Sequence, residues 1–370
     1  MKLIRICFIL LSAVFISACT ETGPEPQNEH LVGSIILSVD KPIIKCDGSD
    51  KASFSVILTD NEGKKHDVTS SSEIYSNASQ ALIEGNTFTT TKTGEYSFYA
   101  MYGLSISPEI KVNALSEIVE IPADPQTSSA SFKHRLLLVQ HTGTNCPNCP
   151  RMMDSLKELA QDEAYNSLYT HVASHSYNEN GIGDDAYSPA AVTLSGEFCS
   201  GFYPDLTFNL TKENTGTDLR EIKAKIDEFK KDKAEAGIAA AVQTAGETIL
   251  VNVQMKAGKD NQYRIAVWVL EDEIYSRQSG ASESWYNTHE NALRYMHGSS
   301  VISKIYGEKV GLVKAGETKS IDVTVPVDSC WKTENCEVLL IVSAADASGN
   351  YELVNSVVCP VGEATAYDYI

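Results

Sequence analysis

The spacing of apolar residues divides the chain into regions of two kinds. Residues 34–113 and 237–370 consist of short segments that alternate apolar and polar side chains or are rich in β-branched residues, such as ASFSVILTD and TILVNVQMK, with turn residues between them. This pattern is typical of antiparallel β-sandwiches. In the central region, strand-like runs alternate with segments in which apolar residues recur every three or four positions, and this predicts mixed α/β structure.

The central region opens with a strand and a helix joined by a cysteine-containing turn. The apolar run 136–139 predicts a buried strand, and Cys146-Pro-Asn-Cys149 follows it. A helix is predicted directly afterwards, with an apolar face formed by Met153, Leu156, Leu159 and Ala160. Asp218 is predicted to be the N-cap of a later helix, because Glu221 follows at the third helical position and Ile222, Ile226 and Phe229 share one face.

A Cys-x-x-Cys pair at the start of a helix has a defined chemistry. Unsatisfied backbone N–H groups and the positive end of the helix dipole favour a thiolate at the first cysteine. Cys146 is therefore the candidate nucleophile, which would attack a substrate disulfide, and Cys149 would resolve the mixed disulfide. The alternative is that the pair forms an inert structural disulfide. A metal site is not predicted, because two cysteines supply only two ligands.

A second candidate element is Tyr203-Pro204, which precedes an apolar strand, LTFNL. We predict that this peptide bond is cis, which proline alone tolerates at low cost. This segment resembles the cis-proline loop of thioredoxin-like proteins, where the residue before the proline pairs by its backbone with an extended substrate. The resemblance implies that Tyr203 and Pro204 bind substrate.

The N-terminus predicts export and lipid attachment. Lys2 and Arg5 precede an apolar run of 11 residues, and Ser17, Ala18 and Cys19 follow it. The run is too short to span a bilayer as a helix and instead indicates a lipoprotein signal peptide, residues 1–18. Cys19 is the predicted lipidation site, and residues 19–33 form a polar tether. We therefore expect an outer-membrane lipoprotein of the cell envelope, at its periplasmic or its outer face.

Charge and composition narrow the class of partner. The formal net charge is −19, which argues against nucleic acid as a partner. The remaining partners are the membrane, reached through the lipid anchor, and extracytoplasmic protein substrates or a surface ligand. No motif for a phosphate, a cofactor or an elbow-type serine nucleophile occurs, so no cofactor is predicted.

Outside the Cys-x-x-Cys pair, other cysteines and two histidines are further candidate site residues. Cys330 and Cys336 enclose only five residues, which predicts a structural disulfide that closes a loop. The non-lipidated cysteines of the mature chain are odd in number, so at least one of them lacks an intramolecular disulfide partner. His289 and His297 have no carboxylate or cysteine at ligand spacing, and we predict that they lie at the surface.

Residues 132–235 resemble a thioredoxin-fold domain. From about residue 117 onward the chain is similar to the Bacteroidetes outer-membrane lipoprotein family known for its twenty-eight-kilodalton member, in which such a domain precedes a β-sandwich. The matching residues are Thr142, Gly143, Cys146, Asn148, Cys149 and Pro150, with a weaker match at 288–294. The resemblance implies a multidomain α/β plus all-β chain. Its parts are an immunoglobulin-like β-sandwich (34–116), a thioredoxin-like domain (117–236) and a C-terminal β-sandwich (237–370).

Two residues depart from an efficient thioredoxin. Gln140 stands where a buried carboxylate normally shuttles protons, and an amide cannot take a proton from Cys149. Asn145 stands where tryptophan is usual, and His141 is expected on the opposite face of the strand. Two hypotheses therefore stay open: thiol–disulfide exchange on extracytoplasmic proteins, or a non-catalytic surface binding or adhesion protein that uses the fold as a scaffold.

Overall fold

The structure, a computed structural model, describes residues 31–178 and 180–370. The predicted signal peptide, the predicted lipidation site Cys19 and most of the predicted tether lie outside the described residues. The described residues form two compact units. The first comprises residues 31–40, 53–88 and 97–111, and the second comprises residues 41–52, 89–96 and the chain from 112 onward.

The N-terminal strands are β1 (Gly33–Val39), β2 (Ile43–Lys45), β3 (Ala52–Asp60), β4 (Lys65–Asp67), β5 (Glu73–Ser76), β6 (Thr87–Phe88), β7 (Gly94–Tyr102), β8 (Ser105–Ile106) and β9 (Ile110–Leu115). In the first unit, β1, β3, β4 and β6 form one sheet, and β7 pairs with β5 and β8. Alternation along β3 directs Phe54, Val56 and Leu58 to one buried face. The ring of Phe54 packs against that of Phe98 on β7, with 4.8 Å between centroids.

The remaining strands are β10 (Leu136–Thr142), β11 (Tyr169–His175), β12 (Asp205–Phe208), β13 (Asn214–Thr215), β14 (Ala236–Ala245), β15 (Thr248–Ala257), β16 (Asn261–Glu271), β17 (Ile274–Tyr275), β18 (Thr288–His289), β19 (Ala292–Met296), β20 (Glu308–Val313), β21 (Thr318–Pro326), β22 (Cys336–Ala345), β23 (Tyr351–Pro360) and β24 (Ala364–Thr365). The α-helices of the described residues are α1 (Pro150–Gln161), α2 (Pro189–Phe198), α3 (Leu219–Phe229) and α4 (Val301–Tyr306). Single 3₁₀ turns occur at Thr69–Ser71, Glu84–Asn86, Ser284–Asn287 and Thr333–Asn335.

A nine-stranded sheet organises the second unit. Its strand order is β13-β12-β10-β11-β19-β16-β22-β23, and β20 also pairs with β16. Strands β10 and β11 are parallel, whereas β12 runs antiparallel to β10. A four-stranded sheet, β21-β15-β14-β24, packs its apolar face against the β16, β22 and β23 part of the large sheet. The core between these layers is made mainly of valine, isoleucine and alanine, and the β-branched valine and isoleucine side chains suit a pleated surface.

Helices cover the β10 end of this sheet on both faces. Leu136 and Leu138 pack with residues of α1 and α3, whereas Leu137 and Val139 belong to the cluster that includes α2 and α4. Because successive side chains of a strand point to opposite faces, a strand covered on both faces is apolar throughout. The apolar run at 136–139 therefore predicted a buried strand correctly.

The expected fold class is wrong. Strand residues make up 43% of the described residues and helical residues only 15%, and no separate central α/β domain is present. The strands expected to form such a domain share one sheet with strands of the expected C-terminal sandwich, because β11 pairs with β19 through Ala173 and Ala292. The run that becomes β19 is short and lies in a long connection, so the sequence offered no sign that it would join the two groups of strands.

A buried lysine holds the segment that precedes β10. Lys256 on β15 donates from Nζ to a carboxylate oxygen of Asp124 at 2.8 Å and to the carbonyl oxygens of Gln126 and Thr127 at 3.1 and 2.9 Å. The lysine side chain is 2% exposed. A buried ammonium group needs such partners, so this cluster fastens residues 124–127 to the four-stranded sheet.

Candidate functional site

The Cys-x-x-Cys turn lies between the end of β10 and the start of α1. Cys146 and Cys149 form a disulfide, and their Cα atoms are 5.4 Å apart. Cys149 is the N-cap residue of α1, and Pro150 occupies its first turn, where the missing N–H costs nothing. Both cysteines are buried: Cys146 is 1% exposed and Cys149 is 0% exposed. The pair therefore presents neither sulfur atom to solvent.

A segment from a distant part of the chain packs on the turn that contains Cys146. We call residues 276–281 the cover segment. The side-chain amide of Gln278 donates to the carbonyl oxygen of Cys146 at 2.9 Å. The backbone N–H of Ser279 donates to the carbonyl oxygen of Thr144 at 2.7 Å. Gly280 has φ +76°, and a Cβ atom there would lie 2.3 Å from the carbonyl oxygen of Pro147. Glycine is thus required for this close approach.

The other side of the turn is fixed by residues 182–184. The backbone N–H of Thr144 donates to Asp184 Oδ2 at 2.9 Å, and the Thr144 hydroxyl donates to the carbonyl oxygen of Gly183 at 2.9 Å. The side-chain amide of Asn145 donates to the carbonyl oxygen of Ile182, also at 2.9 Å. Asn145, which departs from the thioredoxin pattern, therefore ties down the turn instead of covering it with an aromatic ring.

Two buried histidines connect Asp184 to the cover segment. His175 Nδ1 lies 3.0 Å from Asp184 Oδ2, and the rings of His175 and His289 meet edge to face at 4.8 Å. His289 Nε2 lies 3.0 Å from the carbonyl oxygen of Ser276. Burial acts to raise the pKa of Asp184, but the hydrogen bonds from His175 and Thr144 outweigh it and lower that pKa to about 2. Asp184 is therefore a stable anion that orients this chain of contacts.

The prediction that His289 lies at the surface is wrong. Its side chain is buried, and burial together with the neighbouring His175 lowers its pKa to about 4. The sequence signal that could have found this group is weak, because Asp184, His175 and His289 come from three separate segments. No group of three or more metal-ligating side chains suited to a metal ion occurs in residues 31–178 and 180–370.

The predicted cis peptide bond at Tyr203-Pro204 is confirmed. Asp205, the next residue, lies opposite His141 in the pairing of β12 with β10, which places the proline at the end of the sheet from which β10 leads to Cys146. The Tyr203 hydroxyl lies 3.0 Å from Ser176 Oγ, and its ring packs edge to face on Tyr177. The tyrosine side chain is thus held in place, and burial raises its pKa.

Neither Gln140 nor His141 is suited to act as a proton shuttle. His141 lies 2.7 Å from Ser195 Oγ through Nδ1 and 3.1 Å from Thr207 Oγ1 through Nε2, and burial lowers its pKa to about 4. Gln140 is on the other face of β10, as expected from strand geometry, and borders α1. Gln140 is an amide and His141 is engaged at both ring nitrogens, so neither side chain is suited to take a proton from Cys149.

The predicted disulfide between Cys330 and Cys336 is not formed. Cys330 is exposed, and its sulfur accepts from Nη2 of Arg294 at 3.3 Å. Cys336 is buried in the core between the two sheets. The 3₁₀ turn Thr333–Asn335 and the start of β22 direct the Cys336 side chain inward, away from the exposed loop that carries Cys330.

The fold and site define a protein of layered β-sheets with a covered disulfide at the start of a helix. The profile of the outer membrane protein Omp28 family matches residues 195–361, which is less than half of the chain. The resemblance to this family is confirmed over those residues, and the match locates the protein at the outer membrane of the cell envelope. The matched part includes Tyr203, Pro204 and the cover segment, whereas Cys146 and Cys149 precede it.

Comparison with solved structures shows a shared fold. HBP35 of Porphyromonas gingivalis has a TM-score of 0.53 at 16% identity, over 64% of this chain and 78% of that chain. A protein from Agrobacterium tumefaciens has a TM-score of 0.41 at 14% identity, over 61% of this chain and 94% of that chain. Only the first likeness is strong enough to indicate a common fold. No curated protein sequence matches this chain.

The helices of the described residues include none with both the length and the apolar character that a membrane span requires.

Proposed function

We propose that the protein is a non-catalytic binding protein of the outer membrane, in which the Cys146–Cys149 disulfide is a structural cross-link. The observation that carries this proposal is that Cys146 is 1% exposed beneath the cover segment. A disulfide exchanges only when a thiolate approaches one sulfur atom directly, and a covered sulfur atom offers no approach. An oxidising extracytoplasmic compartment is also where structural disulfides persist.

The surroundings of the turn support the same proposal. The turn is held from two sides, by Gln278 and Ser279 in the cover segment and by Asp184 beside His175. Contacts on both sides hold the turn rigid, as a wall of a binding site requires. The proposal includes attachment through Cys19. Fatty-acid labelling that disappears in Cys19→Ser would support it, and unchanged labelling would contradict it.

A second candidate function is thiol–disulfide exchange on extracytoplasmic proteins. It is favoured by the position of Cys146 at the start of α1 and by the cis Tyr203-Pro204 bond at the same end of the sheet. A substrate thiolate would attack Cys146 Sγ and release Cys149 as a thiolate. A second substrate thiol would then resolve the mixed disulfide, so that two electrons pass to the pair and the substrate leaves oxidised. This route requires that the cover segment first moves away.

One experiment separates the two candidates. The soluble form that begins at Thr20 is equilibrated with glutathione or dithiothreitol buffers, and the redox state of the pair is read by thiol alkylation and mass spectrometry. A potential below about −300 mV supports the structural cross-link. A potential between about −120 and −270 mV, with exchange activity lost in Cys146→Ser and kept in Cys330→Ser, supports exchange. Cys330→Ser is the matched control, because it removes an exposed thiol elsewhere.

A further inference from the structure

A cavity of about 450 Å³ lies beside the disulfide-bearing turn, between α1, the adjoining ends of β10 and β11, and the segment that follows the cover segment. Its volume is in the range of small-molecule sites, which are mostly apolar and carry a few convergent polar groups. The lining residues used below are Gln140, Leu156, His171, Ala173, Trp285 and Glu290.

Two buried polar atoms at this cavity have no partner among the described residues. The side chain of Gln140 is 4% exposed, and neither its Nε2 atom nor the Nε2 atom of His171 makes a hydrogen bond. Buried polar groups in folded proteins are nearly always hydrogen-bonded, and Gln140 and His171 line the same cavity, so their nitrogen atoms are available to an acceptor atom of a ligand there. Burial keeps the imidazole of His171 neutral, since it lowers the pKa to about 4.

The apolar side of the cavity is built on α1 and closed by Trp285. Leu156 lines it from the helix. The Trp285 ring stacks on Tyr286 at 4.0 Å, and Lys157 Nζ lies 3.8 Å from its centroid. Tyr286 in turn donates to Asp154 on α1 at 2.7 Å. These contacts hold the indole in place at the border of the cavity.

We propose that this cavity binds a small neutral molecule with an apolar ring and a carbonyl oxygen that accepts hydrogen bonds from Gln140 and His171. The proposal rests on the proposed binding function and names the class of its ligand. A neutral ligand is favoured over an anion because both donors are uncharged and Glu290, an acidic residue, lines the same space. Among the described residues that line the cavity, the lysine is Lys157, and its ammonium group is engaged with the face of Trp285.

The test uses 4-fluoroacetanilide, a neutral aromatic amide, titrated into the disulfide-bonded soluble form and followed by fluorine NMR. We expect saturable binding. Gln140→Met keeps the volume and removes the donor, so it should fold as well as the parent and weaken binding about tenfold. Gln262→Met makes the same change at an exposed position on β16 and should leave binding unaltered. Ala173→Leu should fill the cavity and abolish binding.

Several outcomes would overturn the proposal: no saturable binding, undiminished binding in Gln140→Met, or binding that survives in a folded Ala173→Leu variant. Equal affinity for 4-fluoroethylbenzene would show that the donors do not act, and tighter binding of 4-fluorobenzoate would show that the ligand is an anion. If Ala173→Leu does not fold, the affinity of Gln140→Met for 4-fluoroacetanilide decides whether the proposal holds. The reduction potential tests the proposed function separately, because the disulfide stays intact throughout this titration.

Discussion

Removing the side chain of Gln278 is expected to make the Cys146–Cys149 disulfide accessible to reductants. The Gln278 amide reaches from the cover segment to the turn and donates to the carbonyl oxygens of Cys146 at 2.9 Å and of Gly143 at 3.4 Å. In Gln278→Ala both hydrogen bonds are lost, while the backbone hydrogen bond from Ser279 to Thr144 stays. The cover segment then opens more often, and reduction proceeds through the open state.

The size of the effect follows from these contacts. A typical intramolecular hydrogen bond contributes about 1 kcal/mol, so two of them stabilise the closed cover segment by about 2 kcal/mol. Since each 1.4 kcal/mol changes an equilibrium about tenfold, the open population and the rate of reduction should rise about 30-fold.

The assay is the rate at which dithiothreitol reduces the disulfide under native conditions, followed by quenching with an alkylating reagent and mass spectrometry. Gln262→Ala is the control, because it truncates an exposed glutamine on β16. Thermal unfolding of each variant separates local opening from global destabilisation. An unchanged rate in Gln278→Ala, with the melting temperature also unchanged, would refute the view that the cover segment protects Cys146.

Three further predictions concern stability and thiol reactivity. Asp124→Ala leaves the buried Lys256 without its carboxylate and should lower the free energy of unfolding by about 3 to 5 kcal/mol in urea titrations, more than Lys256→Met; equal losses would contradict this. The free energy of unfolding should fall as the pH drops from 6.5 towards 4, and the contribution of four buried histidines to it should be fully present above pH 6.5. Burial lowers the pKa values of these residues to about 4; they are His134, His141, His171 and His289. The unfolded chain therefore takes up protons that the folded chain cannot, and each histidine lowers the free energy of unfolding by up to about 1.4 kcal/mol per pH unit. A free energy of unfolding that does not change over this pH interval would contradict the prediction. Cys330 should react first with a disulfide reagent in the native protein, because it is exposed, whereas burial raises the pKa values of Cys336 and Cys359 to about 12 and about 11. A native protein whose mass is lower than that of the reduced chain by the two hydrogen atoms of a further disulfide, mapped to Cys330 and Cys336, would contradict that expectation.

The elements that were predicted correctly depend on residues close together in sequence. The N-cap at Asp218 accepts a hydrogen bond from the backbone N–H of Arg220, and Ile222 and Ile226 are buried as their spacing predicts. The helix after Cys149 and the cis bond before Pro204 were also expected. Capping, periodicity and the conformational restriction of proline act within a few residues, so a sequence pattern is sufficient to predict them.

The candidate site could be predicted only in part. Sequence spacing located Cys146 and Cys149 but could not show that Gln278, more than a hundred positions away, would cover them. The same holds for His175 and His289, whose rings meet only because β11 and β18 are brought together. Such contacts depend on which strands pair, and many pairings are compatible with the same local alternation.

Sequence alone therefore determined the buried strand β10, the helix after Cys149 and the helix capped by Asp218, and it placed a disulfide-forming pair at the start of a helix. The tertiary structure decided that β19 joins the strands into one sheet, that the disulfide is covered, and that Gln140 and His171 share a cavity. The physical reason is that local propensities act through neighbouring residues. Exposure and unpaired polar atoms are set by segments that meet only in the folded protein.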